Sequence, residues 1–269
     1  MKSLTDSTGT PVHLGSQPAR IVSLIPSITE ILFALGLDQE IAAVTRYCTH
    51  PLEKVKAKVR IGGEKDPDLE GIRRIGPDLV IANMEENRRE DVAQLRAWGI
   101  PVYVTYPRMV EEGIRLVQDL GALTGREAEA GRIVREIEPL YHEVLVKTAG
   151  RPPVRVFCPI WRKPYMTINR DTYVHDMLRV NGGENVFGDR VERYPEVELK
   201  DVAARKPDVI LLPDEPYRFR RLHLGDFASF EEMPAVRSGR LHLIDGKLIS
   251  WYGPRIAEAL RTLPMLLRR

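Results

Sequence analysis

The apolar positions of this chain change their period many times, the mark of alternating strands and helices. Short apolar runs at 21–24, 41–45, 79–82 and 102–104 predict buried strands. After the first, third and fourth, apolar residues recur at three- and four-residue spacing and predict helices over 27–35, 89–98 and 110–123. Ser27, with Glu30 three residues on, has the form of a helix start; Ile31, Leu32 and Leu35 give the apolar face and Gly36 the stop. Another helix is expected over 68–75, after the turn-rich Gly62-Gly63-Glu64-Lys65-Asp66-Pro67. Residues 4–14 read as a hairpin turning at Ser7-Thr8-Gly9, and 55–59 give little pattern. The second half carries strands at 154–157, 209–212 and 240–245. Its helices run from a cap at Asp171 or Thr172 to 180, over 198–205, and from 253 to the end. Strands alternating with helices in both halves predict an α/β fold with a parallel sheet in each.

Between the halves, 124–150 reads as one long helix. Thr124 with Glu127 three residues on is a capping box, and Ala130, Ile133, Val134, Ile137, Tyr141, Val144 and Leu145 make one buried face. Gly150 and Pro152-Pro153 end it, and Pro139 predicts a kink. At ~1.5 Å per residue it spans roughly 35 Å, about the width of a small domain. We therefore expect three parts: an α/β lobe over 1–123, a linking helix over 124–150 and an α/β lobe over 151–269.

An internal repeat supports two related lobes. DLEGIRRIGPDLVIA at 68–82 and ELKDVAARKPDVILL at 198–212 align without a gap at an offset of 130 residues. Leu69/Leu199, Pro77/Pro207 and Asp78/Asp208 are identical. Helix, Pro-Asp, buried strand is a common signature, but its recurrence at one offset about a central helix favours two similar lobes with a cleft between them. Ligands of open α/β sheets bind at the carboxyl ends of the strands.

Composition narrows the function. With 43% hydrophobic and 29% charged residues the chain can bury a sizeable core. A net charge of +2 without a basic run gives no footprint for nucleic acid. No apolar run approaches the ~18 residues of a membrane span. Cys48 and Cys158 lie in different halves and make no disulfide framework. The start, Met1-Lys2-Ser3 followed by the polar LTDSTGTPVHL, is not a secretory signal. A cytoplasmic chain and one whose signal has been removed both fit it. There is no G-x-S-x-G, P-loop or G-x-G-x-x-G motif, so no catalytic constellation is expected.

The segments after the strands, 46–51, 62–68, 83–88, 158–170, 190–197, 213–221 and 246–252, should form the lips of the cleft. They hold Tyr47, Trp161, Tyr165, Tyr194, Tyr217, Trp251 and Tyr252, seven of the chain's nine tyrosines and three tryptophans. Loop aromatics can simply cover sheet ends, but this clustering fits better a flat, partly apolar ligand held by aromatic faces. Arg46, Arg162, Lys163, Arg218, Arg220 and Arg221 add donors suited to carboxylates or phosphates; for 218–221 a solvated charged face is an equal account. The six histidines show no metal-ligand spacing, and only His50 and His223 stand near lips as candidate axial ligands.

RIVSLIPSITEILFALG, KVRIGGEKDPDLEGIRRIGPDLVIA and NGGENVFGD together resemble the class III substrate-binding proteins of ABC importers, also called helical backbone metal receptors. The resemblance runs from about Leu4 to Leu267. It implies two Rossmann-like lobes joined by one long helix, little hinge motion, a ligand in the interlobe cleft, no built-in cofactor and a monomer at the periplasm or cell surface. The cobalamin (vitamin B12) branch is the most similar, on Tyr47, on Tyr194 before Pro195, and on Gly182-Gly183-Glu184-Asn185-Val186-Phe187. A corrinoid is therefore the expected ligand, with a ferric siderophore or haem as alternatives. GGEKDP departs from the cobalamin pattern, in which a Trp-bearing loop is expected. The resemblance also implies one docking carboxylate per lobe for the importer's permease. Glu70 stands there in the first lobe; Lys200 occupies the equivalent place in the second, with Glu198 and Asp201 as stand-ins. A cytoplasmic corrinoid-binding sensor or enzyme on this fold is the alternative of another class.

Overall fold

Strands that are apolar on both faces need cover on both faces, and the chain supplies it twice. The structure is a computed structural model that describes residues 2–268. Met1 and Arg269, the latter the expected end of the closing helix, lie outside the described residues.

The chain divides into two units. The first holds the residues up to Pro107, with Gly113–Arg135 and Tyr252–Pro254. Its elements are β1 (Lys2–Thr5), β2 (Pro11–Leu14), β3 (Ile21–Ser23), α1 (Pro26–Ala34), β4 (Ile41–Val44), α2 (Leu52–Lys56), β5 (Val59–Arg60), α3 (Leu69–Ile75), β6 (Leu79–Asn83), α4 (Arg89–Ala97), β7 (Val102–Thr105) and most of α5 (Val110–Thr124). β1 and β2 pair antiparallel as the expected hairpin. The other strands form one parallel sheet in the order β5-β4-β3-β6-β7. Val22, Leu24, Val80, Ala82, Ile72 and Leu95 pack its core.

Two expected helix starts are corrected. α1 begins at Pro26, so Ser27 is a buried residue of its first turn and Ile25 holds the cap position without a side-chain bond. Proline is tolerated there because the first N–H groups of a helix have no partner to lose. Thr124 does not cap the long helix. It is the last residue of α5, and its hydroxyl donates back to the Leu120 carbonyl at 2.7 Å. Gly125, at φ +72°, then breaks the chain before α6 (Glu127–Thr148), a helix of 22 residues with Pro139 inside it. The start of α6, through Arg135, belongs to the first unit and the rest to the second, so this helix joins them.

The second unit is built from β8 (Val154–Phe157), β9 (Tyr165–Met166), α7 (Tyr173–Val180), β10 (Gly183–Asn185), β11 (Glu196–Val197), α8 (Leu199–Ala204), β12 (Val209–Pro213), a 3-10 turn (Arg221–Phe227), α9 (Pro234–Arg237), β13 (Leu241–Ile244), α10 (Lys247–Ser250) and α11 (Arg255–Arg268). Thr172, not Asp171, caps α7, accepting from the His175 N–H at 3.2 Å. The sheet is parallel, in the order β10-β8-β12-β13, and β9 pairs with β11 in a small antiparallel ribbon. Phe157, Phe187, Val202, Ile210, Leu212 and Phe227 make its core.

The repeat is structural. α3 and α8 begin 130 residues apart, and so do β6 and β12, each an interior strand of its sheet. The shared Pro-Asp does the same work in both. Asp78 accepts from the N–H groups of Ala19 and Arg20 at 2.8 and 2.9 Å, while its own N–H donates to the Arg20 carbonyl at 3.1 Å. Asp208 accepts from the Arg155 N–H at 3.0 Å and donates to the Arg155 carbonyl at 2.8 Å. Each carboxylate thus ties the start of the neighbouring strand to the central one.

Replacing Asp78 or Asp208 by Ala leaves these backbone donors to water and should cost about 1–2 kcal/mol in either unit, read as a shifted urea midpoint at unchanged slope. Losses under about 0.5 kcal/mol in both would show that the carboxylates only decorate the strand ends.

Candidate functional site

In the first unit the chemistry collects after β4, β5 and β6. Arg46 sits over the Tyr47 ring, 5.2 Å from its centroid, and its Nη2 reaches both Asp66 oxygens at 2.6 and 2.7 Å. That guanidinium holds the Asp66 carboxyl below its usual range. Tyr47 keeps 53% of its surface exposed. The GGEKDP loop is compressed. A Cβ on Gly62, which lies at φ +86°, would stand 2.4 Å from the Asp66 carbonyl oxygen, so glycine is required.

Two asparagines hold these loops together. Asn87 accepts from the Asn83 N–H at 2.8 Å and donates to the Glu64 carbonyl at 3.0 Å. Asn83 accepts from the Glu85 N–H at 2.8 Å and donates to the Thr105 hydroxyl at 3.2 Å. The loops after β5 and β6 and the end of β7 are therefore joined through one polar network. Within it, burial first and then the Glu86 charge push the Glu64 carboxyl up to about 7. Lys65 donates to the Glu85 carbonyl.

In the second unit the loops after β8 and β12 bring the aromatics together. Trp161, 44% exposed, meets Tyr217 edge to face with centroids 5.6 Å apart, and Tyr217 meets Phe219 at 4.9 Å. Tyr165 stacks on Phe219 at 6.3 Å and donates its hydroxyl to Asp226 at 2.5 Å. Arg162 forks onto the same carboxylate, Nε to Oδ2 at 2.6 Å and Nη2 to Oδ1 at 2.9 Å. Of the aromatic residues expected at lips, Trp161, Tyr165 and Tyr217 form this one cluster. Tyr194 is 39% exposed, with Arg193 over its ring. Trp251 and Tyr252 follow α10 but are each only 7% exposed, so little of either ring is offered to a ligand.

His223 is 6% exposed; its Nδ1 accepts from the Arg220 N–H at 2.9 Å, and its Nε2 lies 3.5 Å from the Tyr217 hydroxyl. Burial and Arg162 lower its pKa. His50 lies in the other unit, with its Nδ1 2.9 Å from the Thr49 hydroxyl. Among the described residues no three His, Cys, Asp or Glu side chains are grouped to hold a metal ion. Both cysteines are buried and free. Arg218, Arg220 and Arg221 are exposed.

Glu70 is exposed in the first turn of α3. In α8, Lys200 is bonded to Glu198 at 2.7 Å, which leaves Asp201 as the exposed acid of that turn not bound to it.

The sequence profile described as periplasmic binding protein matches residues 21–248. The chain belongs to the periplasmic binding protein family. A curated relative of this binding protein, the vitamin B12-binding protein of Vibrio parahaemolyticus, is 26% identical over 242 residues, which are 90% of this chain and 86% of that one. The crystal structure of the periplasmic vitamin B12 binding protein BtuF of Vibrio cholerae shares the fold with a TM-score of 0.84 at 22% identity, covering 94% of this chain and 97% of that chain. The apo form of the periplasmic haem-binding protein RhuT from Roseiflexus sp. RS-1 matches with a TM-score of 0.79 at 27% identity, covering 94% and 98%. Among the described residues of this binding protein, no helix is long and apolar enough to cross a membrane.

The raised Glu64 sets a pH dependence of stability. Its folded form holds the proton more tightly than the unfolded chain, so its favourable contribution is complete below about 4.5 and is lost as pH rises through about 7. The melting temperature of Glu64→Gln relative to the unsubstituted protein should therefore climb across that window. A difference that stays flat from pH 4.5 to 8 would give Glu64 an ordinary carboxyl pKa.

Proposed function

We propose that this periplasmic binding protein captures a corrinoid, a cobalamin-like metal chelate, for delivery to an ABC importer. One observation carries the reading. The exposed Trp161 face and the packed Tyr217 and Tyr165 lie in loops at the carboxyl ends of β8 and β12, where α/β sheets take ligands. In the first unit Tyr47 with Arg46 stands in the loop after β4. Rings of this kind suit a broad, partly apolar macrocycle. The vitamin B12-binding names of curated relatives agree with it.

On this reading the protein binds its ligand without turning it over and carries no cofactor of its own. The Asn83–Asn87 network and the Arg162–Asp226 fork pre-position the lips, so little ordering entropy is lost on binding. Tyr194 adds a further aromatic ligand contact and Arg220 a polar donor, whereas Trp251 and Tyr252 are too covered to offer a ring face. Glu70 with Asp201 or Glu198 forms the docking face for the permease, and the protein acts as a monomer in the periplasm or at the cell surface. Haem or a ferric siderophore is the second reading. The exposed Arg218, Arg220 and Arg221 favour it, because such ligands bring anionic groups.

Parallel fluorescence titrations with cyanocobalamin, cobinamide, haemin and a ferric siderophore separate the readings. Tight, saturable quenching by the corrinoids alone is expected, and Trp161→Ala should weaken it on the order of tenfold. Quenching by haemin or the siderophore alone would select the second reading, and no response from any ligand would remove both. Glu70→Ala should leave the titration unchanged while lowering importer-dependent uptake; a lost titration would place Glu70 in ligand binding instead.

A further inference from the structure

The aromatic cluster of the second-unit lip holds a sheltered cation and a carboxylate that cancels it. The Arg162 side chain is 17% exposed and that of Asp226 23%. Asp226 uses both oxygens on the Arg162 guanidinium, and Oδ2 also takes the Tyr165 hydroxyl. The carboxylate cannot swing away. It sits on the 3-10 turn directly before Phe227, which is fully buried and packs edge to face on Phe157 and Tyr165. The guanidinium is held by that fork, on a loop whose Trp161 and Tyr165 pack in the aromatic cluster. Burial and Arg162 hold the pKa of the neighbouring His223 down, and the cations Lys163, Arg218, Arg220 and Arg221 stand out in solvent, where their field is screened.

We propose that Asp226 determines the ligand class of this lip: by neutralising Arg162 and holding the Tyr165 hydroxyl, it keeps the aromatic cluster uncharged and selects against ligands that bear carboxylates. Asp226 acts through Arg162 and is a positioning residue. The inference rests on the reading that these loops take a metal chelate. It adds the property that separates an uncharged corrinoid face from an acid-bearing porphyrin. A part-buried guanidinium relieved of its carboxylate is a strong site for an anion, because charge-assisted forked hydrogen bonds form readily there.

The test is a charge ladder read with two probes of the same shape, haemin with its two propionates and haemin dimethyl ester with none, beside cobinamide. Asp226→Asn frees Arg162 and should tighten haemin on the order of tenfold, in a manner that fades with added salt, without tightening the ester. Arg162→Gln leaves Asp226 uncompensated and should weaken haemin by about threefold or more while sparing the ester. The double variant should return haemin to its starting affinity. A purely structural role for Asp226 would weaken all three probes in both single variants, and that result, or no difference between haemin and its ester, overturns the proposal. If Asp226→Asn fails to fold, Arg162→Gln alone decides through the haemin-to-ester ratio. An unsubstituted protein that ignores corrinoids while the haemin ladder appears would remove the corrinoid reading and leave this inference standing. Tight corrinoid binding without the ladder would do the reverse.

Discussion

Parallel sheets covered on both faces leave a chain only one place for its chemistry. β3, β6 and β12 are buried along their whole length and, as interior strands, spend their backbone groups on neighbours at both sides. Charged and aromatic side chains with work to do are therefore pushed to the loops that leave the strands. The repeat does this twice, from the same device. A helix ends, a Pro-Asp turns the chain, the aspartate pins the adjacent strand, and an apolar strand of five residues delivers the next loop to the carboxyl edge.

The two units part company at the end of that shared strand. The offset of 130 places Pro213 opposite Asn83. Asn83 joins the loops of the first unit through its amide, and proline has no group that could do this. The second unit solves the same problem with an ion pair. Asp226 gathers Arg162 and Tyr165 and so fixes the loop after β8 against the turn after β12. The first lip is consequently polar and carries a carboxyl group of raised pKa, whereas the second is aromatic and pairs its sheltered Arg162 with Asp226. One fold repeated thus offers two chemically different surfaces.

The periodicity of apolar positions determined the strands, the longer helices and the repeat, because burial on two faces leaves continuous apolar runs and burial on one helical face leaves a 3.6 period. It missed β5, β9, β10, β11, α2, α9 and α10, which are too short to show a period. It read Ser27 and Thr124 as caps from composition. Whether a hydroxyl caps a helix depends on where the neighbouring carbonyls lie, and Thr124 found the Leu120 carbonyl behind it instead. The resemblance in its motifs gave the family, which the profile match bears out.

For the site, the sequence by itself determined which loops carry the aromatics and cations. It could not rank them. Trp161 and Tyr47 are exposed while Trp251 and Tyr252 are nearly covered, and loop membership does not distinguish the two pairs. Asp226 had no signal at all, being one acid among many in an unpatterned stretch, 64 residues beyond Arg162. Only the tertiary structure decided that pairing, because the sheet order sets β12 beside β8 and so brings the two loops within hydrogen-bond reach. Local propensity records the neighbours of a residue along the chain, and the charge of a lip is set by neighbours across it.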